Sequence, residues 1–268
     1  MDIYQTVRDR LEASGADVAS IGKSEFGNDI LCAHAGSYDG KQILVTAGIH
    51  ARECYTALAV LRQAEEFAGD GGAYFIPLVN PDGALFFENG ETFGSEVLER
   101  FMAFRRVWKA NGRGVDLNCN FDANWGTGKG NKRFVYAHGY IGEYPQSARE
   151  TAALAEFTER TEPSFTVSYH CMGGELYWEF FQRGARKKRD KKLAAAVAKH
   201  IGVKRVDGDL DSAGGFKDFC VMRLGIPSVT VELIKHGSHP FAPTDFAGEA
   251  ETNADLPAFI LRLLNEEN

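Results

Sequence analysis

The chain has 268 residues, of which 44% are hydrophobic and 25% charged, and a formal net charge of -7. That length suits one α/β domain or two small ones and buries enough surface to need no staples. The acidic balance excludes a nucleic-acid binder, whose affinity rests on basic patches. No apolar run approaches the length of a membrane span, and the polar start after Asp2 lacks the pattern of a signal peptide. The five cysteines, Cys32, Cys54, Cys119, Cys171 and Cys220, are odd in number and form no C-x-x-C pair. They read as reduced thiols in a cytoplasmic protein that engages no membrane.

In chain order, Ile3, Val7 and Leu11 repeat every four residues before Gly15, which predicts an amphipathic helix and its stop. Residues 17–35 predict two strands joined around Gly27-Asn28-Asp29, and Asp39-Gly40 a further turn. The stretch ILVTAGIHARE (43–53) organises the rest of the chain. A buried strand over Ile43 to Val45 ends at Gly48, delivers His50, and gives way to a helical run over 52–64 with Glu53 near its start. His50 and Glu53 are close enough in a tight turn to face one point, and an imidazole beside a carboxylate at a strand end suits a metal, zinc above all. A second buried strand over 73–80 runs into Pro81-Asp82-Gly83, which reads as a strong turn. Residues 94–109 predict a helix with Val97, Leu98, Phe101, Phe104 and Val107 on one side. Residues 111–147 are glycine-rich and irregular but carry Trp125, Phe134, Tyr136, Tyr140 and Tyr144, so an ordered functional loop is expected. A helix over 148–160, strands over 165–170 and 175–180, a basic helix over 186–200, a short helix over 216–224, a strand over 228–234 and a helix over 256–264 complete the pattern. Alternating strands and helices predict one α/β domain over 1–268, with a central mixed, largely parallel twisted sheet flanked by helices.

Two later strands also end in titratable groups, His170 in FTVSYH and Glu232 in SVTVELI. Ligands of open α/β sheets bind beyond the carboxyl ends of strands, so His50, Glu53, His170 and Glu232 can meet at one edge. Two nitrogens and one carboxylate leave a fourth zinc position open, the arrangement of a catalytic site. Glu232 is then a free carboxylate able to take a proton. An unpaired carboxylate in an apolar run is otherwise costly. His34, His138, His200, His236 and His239 read as surface or locally bonded, RKKRDKK (186–192) as a solvated helix face, and GTGKG (126–130) lacks the spacing of a phosphate loop.

GIHARE (48–53), NPDG (80–83), RGVDLNCNFD (113–122), SYH (168–170) and TVEL (230–233), in that order, resemble the zinc carboxypeptidase family, whose type member is carboxypeptidase A. The resemblance implies His50, Glu53 and His170 as Zn²⁺ ligands, Glu232 as general base, and Asp116 as the carboxylate that orients His50. It implies Asn118 as a substrate contact. It puts Lys109 where the family often has the arginine that polarises the scissile carbonyl, with Arg106 and Arg113 as alternatives. Two departures stand out. Cys119 occupies the place of the arginine that clamps a substrate's terminal carboxylate, and a thiol makes no bidentate charged contact. Leu210, in GDLDSAGGFKD (208–218), stands near the place of the family's mobile tyrosine. These departures, with WKANGRGVDLNCNFDANWG (108–126) and SYHCMGGELYWEF (168–180), look like the bacterial γ-D-glutamyl-meso-diaminopimelate peptidases of the same family. That implies a small, cell-wall-derived peptide as substrate. Lys217 falls where the pocket-floor residue is expected, and a cation there suits the distal carboxylate of diaminopimelate. The expected function is zinc-dependent hydrolysis of that bond. The alternatives are a conventional C-terminal carboxypeptidase and a deacylase of small N-acyl amino acids.

Overall fold

A computed structural model describes residues 1–208 and 211–266. The strands are β1 (Asp17–Lys23), β2 (Asp29–Gly36), β3 (Gln42–Thr46), β4 (Gly72–Ile76), β5 (Phe165–Cys171), β6 (Glu175–Tyr177), β7 (Lys204–Val206) and β8 (Ser228–Leu233). They form one sheet in the order β1-β2-β4-β3-β5-β8-β6-β7. The central run β4-β3-β5-β8 is parallel, while β1, β2 and β6 join antiparallel, as the mixed sheet expected from the sequence. β3 and β5 are buried along almost their whole length because both their faces are covered. The helices that cover the sheet include α1 (Ile3–Ala13), α2 (Ala57–Glu66), α3 (Pro81–Asn89), α4 (Glu96–Arg100), α5 (Arg149–Thr161), α6 (Gly184–His200), α7 (Phe216–Phe219), α8 (Ala247–Thr252) and α9 (Leu256–Glu266). α1, α2 and α9 pack with the sheet in one core, and α5 and α7 belong to a second core on the other face. No helix among the described residues is long and apolar enough to cross a membrane.

Four readings of the sequence need correction. Pro81-Asp82-Gly83 does not make a turn; it begins α3. Asn80 caps that helix by accepting from the Gly83 N–H at 2.9 Å, and proline is favoured at a first helical position because its missing N–H is not needed there. β4 therefore stops at Ile76. The expected helix over 94–109 is α4 followed by a 3-10 turn over Met102–Val107, and its apolar face does not enter the core. Leu98 is buried, but Phe104 is 61% exposed and Val107 46%. The strand expected over 175–180 pairs only as far as Tyr177, and β7 and α8 had no clear sequence signal.

Asp82, in the first turn of α3, is fully buried. Its carboxylate accepts from the Ser24 hydroxyl at 2.6 Å, the Phe26 N–H at 2.9 Å and the Asn28 amide at 2.7 Å, and so fixes the β1–β2 turn to α3. Burial nonetheless pushes this carboxyl upward, against those donors. Asp82→Ala strands three donors and is expected to cost about 2–4 kcal/mol in urea denaturation at neutral pH. A loss below about 1 kcal/mol would mean that water replaces the carboxylate there.

Candidate active site

The site begins where β3 ends. Gly48 takes φ +62°, and a Cβ there would lie 2.6 Å from the Leu78 side chain, so only glycine lets the chain pass this close to the end of β4. The Thr56 hydroxyl accepts from the Gly48 N–H at 3.1 Å and donates to the Glu53 carbonyl at 2.7 Å. This locks the loop between β3 and the 3-10 turn over Ala51–Thr56. The N–H groups of Ala51 and Arg52 donate to the carbonyls of Lys109 and Trp108, which holds the 108–109 segment against the same turn.

His50 and Glu53 then converge. Nδ1 of His50 lies 2.9 Å from Oε2 of Glu53. Nδ1 of His170, from β5, lies 3.3 Å from that same oxygen and 3.3 Å from Nδ1 of His50. The Cys171 N–H donates to Glu53 Oε2 at 3.2 Å. All three side chains are buried, and among the described residues they form the one group of three His, Cys, Asp or Glu side chains able to hold a metal ion. Separations near 3 Å are those of ligand atoms around an ion with bonds of about 2.0–2.2 Å. Nε2 of His170 is buried without a partner, as is Nε2 of His50, which approaches Oδ1 of Asp116 no closer than 3.4 Å. Two imidazoles and a carboxylate packed this closely, out of water, fit a zinc ion by donor type and spacing. Burial works against the charge of Glu53, but the imidazoles of His50 and His170 outweigh it and hold the carboxyl well below its usual range.

Asp116 stands behind His50. Burial opposes its charge as well, yet the Lys109 ammonium, 2.9 Å from Oδ2, keeps its carboxyl far below the ordinary value. The pair is mutual: despite burial, Asp116 holds the Lys109 ammonium above its usual range. Glu232 approaches from the other side. β5 and β8 are parallel neighbours with His170 and Glu232 in register, so the two side chains leave the same face of the sheet. A cavity of about 170 Å³ opens beside Glu232, lined also by Asn118, Tyr177, Gly215, Lys217, Asp218 and Thr230.

The structure brings together His50, Glu53, His170, Asp116, Lys109 and, around the cavity, Glu232, Asn118 and Lys217. It does not bring in two of the arginines. Arg106 stacks on the Phe87 ring and donates to the Phe87 carbonyl, while Arg113 pairs with Glu25 at 2.9 Å on a separate cleft. Of the three candidates Lys109 is the one that reaches the site, through Asp116 behind His50; Arg52, 3.8 Å from Glu53 Oε1, is a second cation at the cluster. Asn118 accepts from the Phe216 N–H at 3.1 Å. Cys119 follows it, half-buried, and burial with Asp116 nearby pushes its thiol upward, so it is a neutral group. Leu210 lies outside the described residues. His34 is buried and bonded to Gln42, a local hydrogen bond of the kind expected, and His239 bonds the Cys171 carbonyl. Asp218 went unnoticed in the sequence; its only signal was a second charge beside Lys217 in the otherwise apolar FKDF.

A family model described as zinc carboxypeptidase matches residues 8–254. The chain belongs to the zinc carboxypeptidase family. Among curated relatives, the chain is 28% identical over 258 residues to the uncharacterized protein YqgT of Bacillus subtilis, covering 85% of the chain and 67% of the relative. It is 27% identical over 178 residues to γ-D-glutamyl-L-diamino acid endopeptidase 1 of Lysinibacillus sphaericus, covering 64% of the chain and 44% of that protein. The chain thus spans about two thirds of the first and less than half of the second. Bovine thrombin-activatable fibrinolysis inhibitor, solved with tick carboxypeptidase inhibitor, superposes with a TM-score of 0.80 at 19% identity, covering 99% of the chain and 96% of the solved one. Murein-tripeptide amidase MpaA from Escherichia coli O157 superposes with a TM-score of 0.65 at 22% identity, covering 91% and 94%. Both share the fold of this chain. The family is one of zinc-dependent hydrolases acting on peptide bonds, and the clustered donors here suit that ion.

Proposed function

We propose that the chain, acting over 1–268 as one catalytic domain, hydrolyses the amide between a γ-D-glutamyl residue and a diamino acid in small cell-wall-derived peptides. The observation that carries this reading is the Lys217 ammonium at the floor of the cavity beside Glu232, in a chain whose clamp position holds Cys119. A buried ammonium that keeps a donor beyond Asp218 and the Glu179 carbonyl suits a substrate side chain ending in a carboxylate, and a neutral thiol does not suit an ordinary C-terminal carboxylate. The relative from Lysinibacillus sphaericus, named for action on γ-D-glutamyl-L-diamino acid bonds, and the neighbour named a murein-tripeptide amidase support the same class. A cytoplasmic address belongs to the same reading, and the free cysteines fit it.

His50, Glu53 and His170 would hold the zinc. Zinc, when bound, supplies Lewis acidity that polarises a carbonyl and makes water a stronger acid. Glu232, half-buried at the cavity edge, takes a proton from the attacking water and returns it to the leaving amine. Lys109 stays protonated through Asp116 and offers a fixed positive charge to the developing oxyanion. Asp116 also fixes the ring of His50, and Asn118 contacts the substrate from the cavity wall. Asp116→Asn removes the charge behind His50 and is expected to weaken zinc affinity about 10–100-fold in competition with a chelating dye. Unchanged affinity would reduce Asp116 to a partner of Lys109 alone.

The reading is tested by incubating zinc-loaded protein with L-Ala-γ-D-Glu-meso-diaminopimelate and with an ordinary C-terminal dipeptide, identifying products by mass. Cleavage of the first alone is expected. Cleavage of the second alone would make the protein a conventional carboxypeptidase, and action only on N-acyl amino acids a deacylase.

A further inference from the structure

The floor of the cavity beside Glu232 is a charge pair. Lys217 and Asp218 are consecutive in α7 and both buried. The Lys217 ammonium donates to Asp218 Oδ1 and, at 3.0 Å, to the Glu179 carbonyl. The ammonium also lies 5.2 Å from the centre of the Phe180 ring, and of its three donors one has no oxygen partner among the described residues, in a residue that lines the cavity. Asp218 Oδ2 is the complementary feature: it is buried and accepts no hydrogen bond among the described residues. Gly215 leaves the space over it open, since a Cβ there would sit 3.1 Å from Oδ2 and 3.3 Å from Asn118 Oδ1. A carboxylate oxygen left unpaired out of water is costly until a donor reaches it.

The pair therefore offers one spare donor and one spare acceptor with little net charge. A lone carboxylate satisfies Lys217 and leaves Oδ2 unpaired. A lone ammonium, such as a lysine side chain, satisfies Oδ2 and confronts Lys217. We infer that Lys217 and Asp218 together read a side chain ending in both an ammonium and a carboxylate, so that Asp218 is a specificity residue and the zwitterionic end of a diaminodicarboxylic acid is the feature selected. This rests on the γ-glutamyl reading above and sharpens it.

The test compares L-Ala-γ-D-Glu-meso-diaminopimelate with three variants, one acetylated on the distal amine, one amidated on the distal carboxylate, and one with lysine in place of diaminopimelate. For the zinc-loaded wild type, kcat/KM is expected to fall roughly 10–100-fold for each. Asp218→Asn is expected to bring the ratio between the free and acetylated substrates toward one while keeping the penalty for amidation. Lys217→Met is expected to do the reverse. The wild-type comparison needs no variant to fold. Equal hydrolysis of all four overturns the inference while the γ-glutamyl reading stands. Cleavage of none overturns both.

Discussion

Glu232→Gln is expected to lower turnover of the γ-D-glutamyl substrate by about 10²–10⁴-fold with zinc content unchanged. The substitution keeps the size of the side chain and removes its capacity to take a proton. Geometry supports the assignment: Glu232 is in register with His170 across two parallel strands and lines the cavity. Burial pushes its carboxyl up to about 7, with His170 opposing and Glu53 adding to the rise. A general base works ionised, so activity must fall as pH drops through its pKa. A zinc ion on the neighbouring ligands favours the ionised form, which sets the acid limb of kcat/KM at or below about pH 7. A variant keeping more than about a tenth of wild-type turnover would remove Glu232 as the base.

Glu53→Ala should abolish both zinc binding and activity. Oε2 of Glu53 is the atom on which His50, His170 and the Cys171 N–H all converge. Without it, two imidazoles remain as donors, and the loss of affinity should exceed the roughly 100-fold expected when only an orienting partner is lost. Melting temperature gives an independent reading. Zinc at a hundred times its Kd stabilises the native state by about 2.7 kcal/mol, so chelation should lower the wild-type melting temperature and leave the variant's unmoved. Wild-type affinity in Glu53→Ala would exclude Glu53 from the ligand set.

The features legible in the sequence were local. His50 and Glu53 are three residues apart after a strand, and the turn that joins them is built from their neighbours Gly48 and Thr56. His170 was legible because strand ends carry chemistry in α/β sheets. That β8 lies beside β5, which brings Glu232 to His170, depends on strand order and has no local signature. The side chains misjudged were those whose partners lie far along the chain. Arg113 is claimed by Glu25 and Arg106 by Phe87, and each was counted only by its charge. Phe104 and Val107 had core periodicity but line a cleft with Trp108 and Lys109, where apolar surface faces solvent. Pro81-Asp82-Gly83 carries turn chemistry that serves equally to start a helix, and only the cap made by Asn80 separates the two.

The placement of the site residues after β3, on β5 and on β8 also bears on when the site is assembled. During synthesis, His50 and Glu53 leave the ribosome long before Glu232, and β8 can pair with β5 only once nearly the whole sheet-forming sequence has been made. An unfinished or prematurely terminated chain ending before β8 holds the candidate metal donors in sequence but lacks the strand that carries Glu232. On the proposed mechanism, hydrolytic capacity is thereby withheld from nascent and broken chains.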